Sequence, residues 1–382
     1  MTLKISQRGQ VAPFFAMEVM RDAAAHEAAG NDVLHLEIGQ PSTGAPAGVI
    51  AAANAALGRD ILGYTDALGI PALRQAIALH YRERYGADLD PGRVVITTGS
   101  SAGFVLAFLA AFDVGDRIGL ASPSYPAYRN ILTALGLVPV ELLSGPAIRY
   151  QATVDLVQAS PEPLDGLIVA SPANPTGTML EPGEVGALAC YCEAAGIRLI
   201  SDEIYHGITY GVAEATALSS SGEAIIVNSF SKYYSMTGWR LGWMVVPPTL
   251  LRPIECLAQN LFISPPALAQ QAAIAAFACR GELDRNVARY RMNRAILLDE
   301  LPKAGFDRFA PADGAFYLYA DIAHLAIDSR ELCRRMLHEI GVACTPGIDF
   351  DPVRGHTTLR ISYAGSTATV TEAVKRLKAW RR

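Results

Sequence analysis

From about residue 92 onward, short runs rich in Val and Ile alternate with helical stretches. The runs cover residues 93–97, 117–121, 138–142, 167–170, 198–201, 225–227 and 241–246. A strand with one face in water alternates apolar and polar residues, whereas a strand covered on both faces stays apolar. The pattern therefore predicts an α/β protein whose large domain holds a mostly parallel seven-stranded sheet between helices. Ahead of the sheet, residues 11–15 read as an apolar extended arm. Residues 17–29 read as a helix stopped by Gly30, and residues 34–38 as a short strand closed by Gly39-Gln40-Pro41. Residues 46–90 read as helical, broken at 63–66 and 68–71, with Pro71 opening a new helix. After the sheet the pattern gives a helix at 284–304, a strand at 315–320, a helix at 330–340, a turn at 345–347, a strand at 358–362 and a helix at 367–380. A chain of 382 residues exceeds the usual single domain of about 150 residues. A second, smaller α+β domain is expected.

Composition narrows the function classes. With 51% hydrophobic and 18% charged residues, the chain can bury a large core. A net charge of -5 argues against nucleic acid or an anionic membrane as partner. No stretch reaches the roughly 20 apolar residues of a membrane helix, and the N-terminus lacks the apolar segment of a secretory signal. The six cysteines follow no zinc-ligand spacing, and Cys190 and Cys192 fall on different faces of a helix, so no metal is expected. Reduced thiols and a cytoplasmic location are the simplest reading.

The chemistry gathers at strand ends, where open α/β sheets bind ligands. After the first run comes Thr98-Gly99-Ser100-Ser101, two hydroxyls at a helix start that suit a phosphate or simply cap the helix. After the second comes Ser122-Pro123-Ser124-Tyr125, after the fourth Asn174-Pro175-Thr176-Gly177, and after the fifth Asp202-Glu203-Ile204-Tyr205. After the sixth comes Ser229-Phe230-Ser231-Lys232. Lys232 is the sole lysine between Lys4 and Lys303 in an arginine-rich interval. An arginine keeps its proton, but a desolvated lysine beside another cation can lose one and attack a carbonyl. Arg240, eight residues on, is either that cation or a phosphate ligand.

The ordered set Ala173-Asn174-Pro175-Thr176-Gly177, Ser201-Asp202-Glu203-Ile204-Tyr205, Ser229-Phe230-Ser231-Lys232, Gly238-Trp239-Arg240 and Leu359-Arg360-Ile361-Ser362 resembles the class I/II aminotransferases. These are pyridoxal 5'-phosphate (PLP) enzymes of fold type I, and the resemblance spans nearly the whole chain. It implies that Lys232 carries PLP as a Schiff base and shuttles the substrate proton. It implies Asp202 on the pyridinium nitrogen, Asn174 and Tyr205 on the ring 3-oxygen, and Tyr125 on the ring face. Ser100, Ser101, Ser229 and Arg240 would hold the phosphate, and Arg360 the substrate α-carboxylate, helped by the backbone near Gly39. Tyr64 aligns with a tyrosine that reaches the phosphate of a neighbouring subunit, which implies a homodimer with shared sites. Ser122-Pro123 and Asn174-Pro175 fall where the family has cis bonds. The domains become 1–40 as an arm and strand joining the small domain, 41–283 as the large PLP domain and 284–382 as the small domain. The expected activity is ping-pong transfer of an amino group between an L-amino acid and a 2-oxo acid.

The same residues would serve a PLP-dependent carbon–sulfur β-lyase, which stays open. An α-oxoamine synthase fits the Asn-Pro-Thr-Gly run and Tyr125 poorly. A non-catalytic regulator would need an attached DNA-binding domain, and too few residues precede the fold to hold one. Arg8, Arg129 and Arg285 are available to bind a substrate side-chain carboxylate, but no motif puts them in the site. Phe14, Phe15, Tyr125 and Phe262 lean instead towards a neutral or aromatic substrate.

Overall fold

The computed structural model describes residues 3–380, so positions 1, 2, 381 and 382 of the expected terminal segments lie outside the described residues. The strands in chain order are β1 (Leu34–His35), β2 (Val94–Thr97), β3 (Arg117–Ser122), β4 (Val138–Leu143), β5 (Gly166–Ala170) and β6 (Arg198–Asp202). They continue with β7 (Ile225–Ser229), β8 (Gly242–Val245), β9 (Tyr317–Asp321), β10 (Val342–Ala343), β11 (Thr345–Pro346) and β12 (Thr358–Ser362). Seven of them form one sheet in the order β2-β8-β7-β6-β5-β3-β4. Every residue of β2, β7 and β8 is buried, as the unbroken apolar runs require. Only β8 runs against its neighbours β2 and β7. A parallel return needs a crossover of a dozen or more residues, usually a helix. The link from β7 to β8, residues 230–241, holds only the 3-10 turn Thr237–Trp239 and no α-helix to carry a crossover, so the strand folds straight back.

The helices α1 (Phe15–Ala28), α2 (Ala47–Arg59), α3 (Pro71–Tyr85), α4 (Gly99–Ala111) and α5 (Pro126–Leu135) match the expected helical stretches. Pro71 and Pro126 stand in first turns, where a missing N–H costs nothing. α1 begins two residues before the sequence pattern predicts, and Phe14 supplies no side-chain cap. The carboxylate of Asp349 caps it instead, accepting the amides of Phe15 and Ala16 at 3.1 Å each. No local pattern encodes a partner more than 300 residues away.

Beyond the large sheet, β9, β11 and β12 form an antiparallel sheet in the order β11-β12-β9. Residues 345–346, expected as a turn, pair with Leu359 and Arg360, and the turn follows at Gly347–Asp349. β1 pairs in parallel with β10, Leu34 opposite Val342, so the N-terminal segment joins the C-terminal one. The long helix Arg280–Glu300 leads from one region to the other. The peptide bonds Ser122-Pro123 and Asn174-Pro175 are cis, as is Ser171-Pro172, which the sequence did not single out. Among the described residues no helix is long and apolar enough to cross a membrane, and no cluster of His, Cys, Asp or Glu could hold a metal.

Candidate active site

The carboxyl ends of β2, β3, β5, β6 and β7 converge on a cavity of about 200 Å³, closed on its far side by residues of β9 and β12 and by the first turn of α1. Lys232 sits on the turn after β7 and lines this cavity. Its Nζ donates to the Gly39 carbonyl at 2.7 Å. Burial, then the nearby Arg360 and Arg240 cations, lower its pKa from 10.5 to about 8, against a smaller pull from Asp202. A lysine so placed is deprotonated in part near neutrality.

Asp202 ends β6 and is 3% exposed. It accepts the Tyr128 hydroxyl and the Ile204 amide, the latter at 3.1 Å. Burial raises its pKa to about 6, and those hydrogen bonds hold the rise in check. The Tyr205 hydroxyl meets that of Tyr317 at 2.7 Å. Gly39 is required beside them, since a Cβ there would lie 1.6 Å from the Tyr317 hydroxyl.

Arg360, on β12, is 2% exposed. Its Nη1 donates to Asn174 Oδ1 at 2.8 Å, and its Nη2 donates to the Glu37 carbonyl and to Thr345 Oγ1. The rings of Tyr317 and Phe350 lie 4.5 and 4.7 Å from its guanidinium carbon. Its Nε is buried with no hydrogen-bond partner. A buried guanidinium with a spare donor on a cavity wall suits an incoming carboxylate.

At the other end of the cavity, Ser100 and Ser101 lie in the first turn of α4. Gly99 has φ +72°, and a Cβ on it would stand 2.4 Å from the Arg240 guanidinium. Helix amides, two hydroxyls and an exposed arginine make an anion cradle. The chain thus offers one cavity with a reactive amine, a buried carboxylate and an anion cradle, and this donor set fits PLP.

Of the sequence-predicted residues, Gly39, Ser100, Ser101, Tyr125, Asn174, Asp202, Tyr205, Lys232, Arg240 and Arg360 meet in this cavity. Ser229 is not on its wall; its hydroxyl bonds to Ser231 Oγ and the Leu241 carbonyl, and Ser231 lines the cavity. Tyr64 is 84% exposed and outside it. Sequence reasoning missed Tyr128 and Tyr317. Tyr128 stands one helical turn after Tyr125, a spacing that faces the same side and was there to be read. Tyr317 sits in a plain strand pattern with no motif. Arg129 pairs with Glu141, while Arg8 and Arg285 are exposed and off the wall. Phe14 lines the cavity, but Phe15 packs on Arg330 and Phe262 lies elsewhere.

The segment that carries Gly39 is held by an ionic chain. The His35 ring lies 2.7 Å from the Glu37 carboxylate, which is fully buried, and 3.2 Å from that of Glu27. The hydrogen bond to Glu37 is the largest cause that raises the His35 pKa to about 9. A raised histidine pKa gives stability fully present below the unfolded value near 6.5 and lost as pH rises through about 9. The urea midpoint is expected to fall between pH 7 and 9.5, and His35→Gln should flatten that fall. An unchanged slope in the variant would remove His35 as the cause.

Comparison with known proteins agrees with this geometry. A family model described as aminotransferase class I and II matches residues 31–377. The chain belongs to this family. A valine–pyruvate aminotransferase of Mycobacterium tuberculosis is 51% identical over 100% of this chain and 99% of its own length. The crystal structure of an aminotransferase from Mycobacterium tuberculosis superposes with a TM-score of 0.98, at 51% identity and 99% coverage of both chains. The aspartate aminotransferase of Thermus thermophilus with maleate gives 0.93 at 30% identity, over 99% of this chain and 100% of that one. The fold is therefore that of the fold type I aminotransferases, and the protein is an enzyme that transfers amino groups.

Proposed function

We propose that this aminotransferase moves the amino group of a neutral, aliphatic L-amino acid to a small 2-oxo acid, with PLP held at Lys232. The supply of cations carries the reading. Among the described residues, Lys232, Arg240 and Arg360 are the cations on the cavity wall. Each has a task, so none is left for a side-chain carboxylate. Apolar residues share that wall: Phe14, which meets Tyr125 edge-on, with Ala16, Met17, Ile38 and Ile131. The 51% identical valine–pyruvate aminotransferase supports valine and pyruvate as the pair.

PLP, when bound, supplies an aldehyde carbon for an amine to join and a ring that takes up the electrons left at the substrate Cα. The chain's groups do the rest. Asp202 sets a negative charge against the ring nitrogen and so keeps a proton there. Asn174, whose oxygen faces Arg360, has its Nδ2 donors for the ring oxygen, beside the Tyr205 hydroxyl. Ser100, Ser101 and Arg240 hold the phosphate. Arg360 fixes the α-carboxylate and thereby the orientation of Cα. Lys232 Nζ would take the Cα proton and return it at the former aldehyde carbon, on the other side of the nitrogen from Cα, a transfer that typically contributes about 10²–10⁴-fold. The product 2-oxo acid leaves before the second substrate enters, because both use Arg360.

We further propose a homodimer in which Tyr64 enters the partner's site. Tyr64 is exposed beside the fully exposed Ile61, and Ile263 adds apolar surface. Residues 41–283 would be the large domain and 284–382 the small one, with 1–40 joined to it through β1 and β10. The six free cysteines suit the cytoplasm.

Titrating the PLP-loaded enzyme with single L-amino acids tests the substrate reading. Valine and its aliphatic neighbours should convert the cofactor to its pyridoxamine form, and pyruvate should reverse it. Aspartate should react at least about tenfold more slowly, the scale on which an unmatched side chain is rejected. Aspartate as the fastest donor would overturn the assignment. Steady release of ammonia and pyruvate would point to the β-lyase.

A further inference from the structure

The first turn of α1 is a wall of the cavity, and what fixes it lies far along the chain. Phe14, Ala16 and Met17 face the cavity. The Phe14 ring meets Tyr125 edge-on at 5.7 Å. Both oxygens of the Asp349 carboxylate are spent on the amides of Phe15 and Ala16. Asp349 is 2% exposed and follows β11 by a single turn. Its own segment is pinned to the rest of the site. Arg129 Nη2 donates to the Asp349 carbonyl at 3.2 Å, and the Ser124 amide donates to the Phe350 carbonyl at 3.0 Å. The Phe350 ring packs on the Arg360 guanidinium. Asp349 therefore ties the start of α1 to the segments that carry Tyr125 and Arg360.

This arrangement has a use beyond holding a helix. Once Arg360 grips the α-carboxylate, the substrate side chain points to one part of the wall. Apolar contact there discriminates side chains only if the wall stays in place. Phe14 gives the helix no cap of its own, so its first turn depends on the remote carboxylate. We propose that Asp349 is a positioning residue for substrate selection: by capping α1 it holds Phe14, Ala16 and Met17 as the wall that receives the substrate side chain. This rests on the reading of a neutral side chain in that cavity.

The test compares wild type with Asp349→Asn, which keeps the size but cannot accept both amides. KM for valine should rise about five- to tenfold, while KM for alanine, which lacks the two methyl groups that reach the wall, should stay within about twofold. kcat at saturation should change little with either. A loss of fold alone would scale both substrates together. The unreactive acids 3-methylbutanoate and propionate, titrated into the holoenzyme, give a readout free of turnover. Their affinity ratio should shrink in the variant. An unchanged ratio overturns the role of Asp349, whether or not valine is a substrate. Failure of the wild type to turn over valine overturns the substrate reading alone. Should the variant not fold, hydrogen exchange on the wild type decides. The amides of Phe15 and Ala16 should slow more with 3-methylbutanoate than with propionate, and equal slowing would sink the proposal.

Discussion

Lys232→Ala is expected to abolish turnover and covalent attachment of PLP while leaving the fold intact. No other lysine lines the cavity among the described residues, so no second amine can take over. Loss of the general base alone costs about 10²–10⁴-fold, and loss of the covalent link adds to that. The fold should survive because the amine stabilises little. It makes one hydrogen bond, to the Gly39 carbonyl, and its lowered pKa shows that the buried site disfavours its charge. Borohydride reduction followed by peptide mapping should fix PLP on Lys232 in the wild type and nowhere in the variant. The thermal midpoint of the apo-protein should move little. Turnover within tenfold of wild type would overturn the assignment, as would borohydride-fixed PLP on another residue. The reactivity of the wild-type apo-protein towards pyridoxal should also rise with pH through about 8, since the neutral amine is the nucleophile.

Much of the frame was legible because parallel sheets write themselves as apolar runs. The expected sheet strands and the polar groups at their ends appear as read, and so does the helix that Pro71 opens. What escaped depended on contacts distant in sequence. α1 starts ahead of its sequence pattern because its cap is Asp349. β11 lies where the sequence pattern predicts a turn, because a two-residue strand takes its identity from its partner β12. At the site, Lys232, Asp202 and Arg360 stand out by residue type and motif, whereas the places of Tyr317 and Ser231 on the cavity wall follow only from where the chain folds back. Ser229 and Ser231 differ by two residues, which in an extended segment share a side but not a depth. Only geometry separates them. Arg129 was a candidate ligand by charge, and its partners Glu141 and Asp349 could not be named from the sequence.

Asp202→Asn should lower kcat roughly a hundred- to several-thousand-fold, matching the 3–5 kcal/mol expected when one member of a buried charge pair is lost. Asparagine keeps the size: its single oxygen can accept the Ile204 amide, and its Nδ2 can donate to the Tyr128 hydroxyl, whose proton the second Asp202 oxygen accepts in the wild type. What it lacks is the charge that, in the proposed function, would hold a proton on the ring nitrogen of PLP. The pH dependence separates charge from shape. Burial places the Asp202 pKa in the apo-protein at about 6, above its ordinary 3.8. A carboxyl with a raised folded pKa favours its proton in the native state, so the apo fold loses this contribution as pH rises from about 4 to 6. A cation seated against it reverses the balance, because it needs the carboxylate. PLP affinity should therefore rise with pH through about 6 in the wild type. Part of any rise there comes from the second ionisation of the phosphate, which also lies near pH 6. That part persists in Asp202→Asn, so the difference between the two titrations isolates the carboxylate. Identical titrations, or a kcat within about fivefold of wild type, would mean that Asp202 does not face the ring nitrogen. The cavity would then have to hold the cofactor the other way round, with its anion cradle at Ser100, Ser101 and Arg240 serving another group.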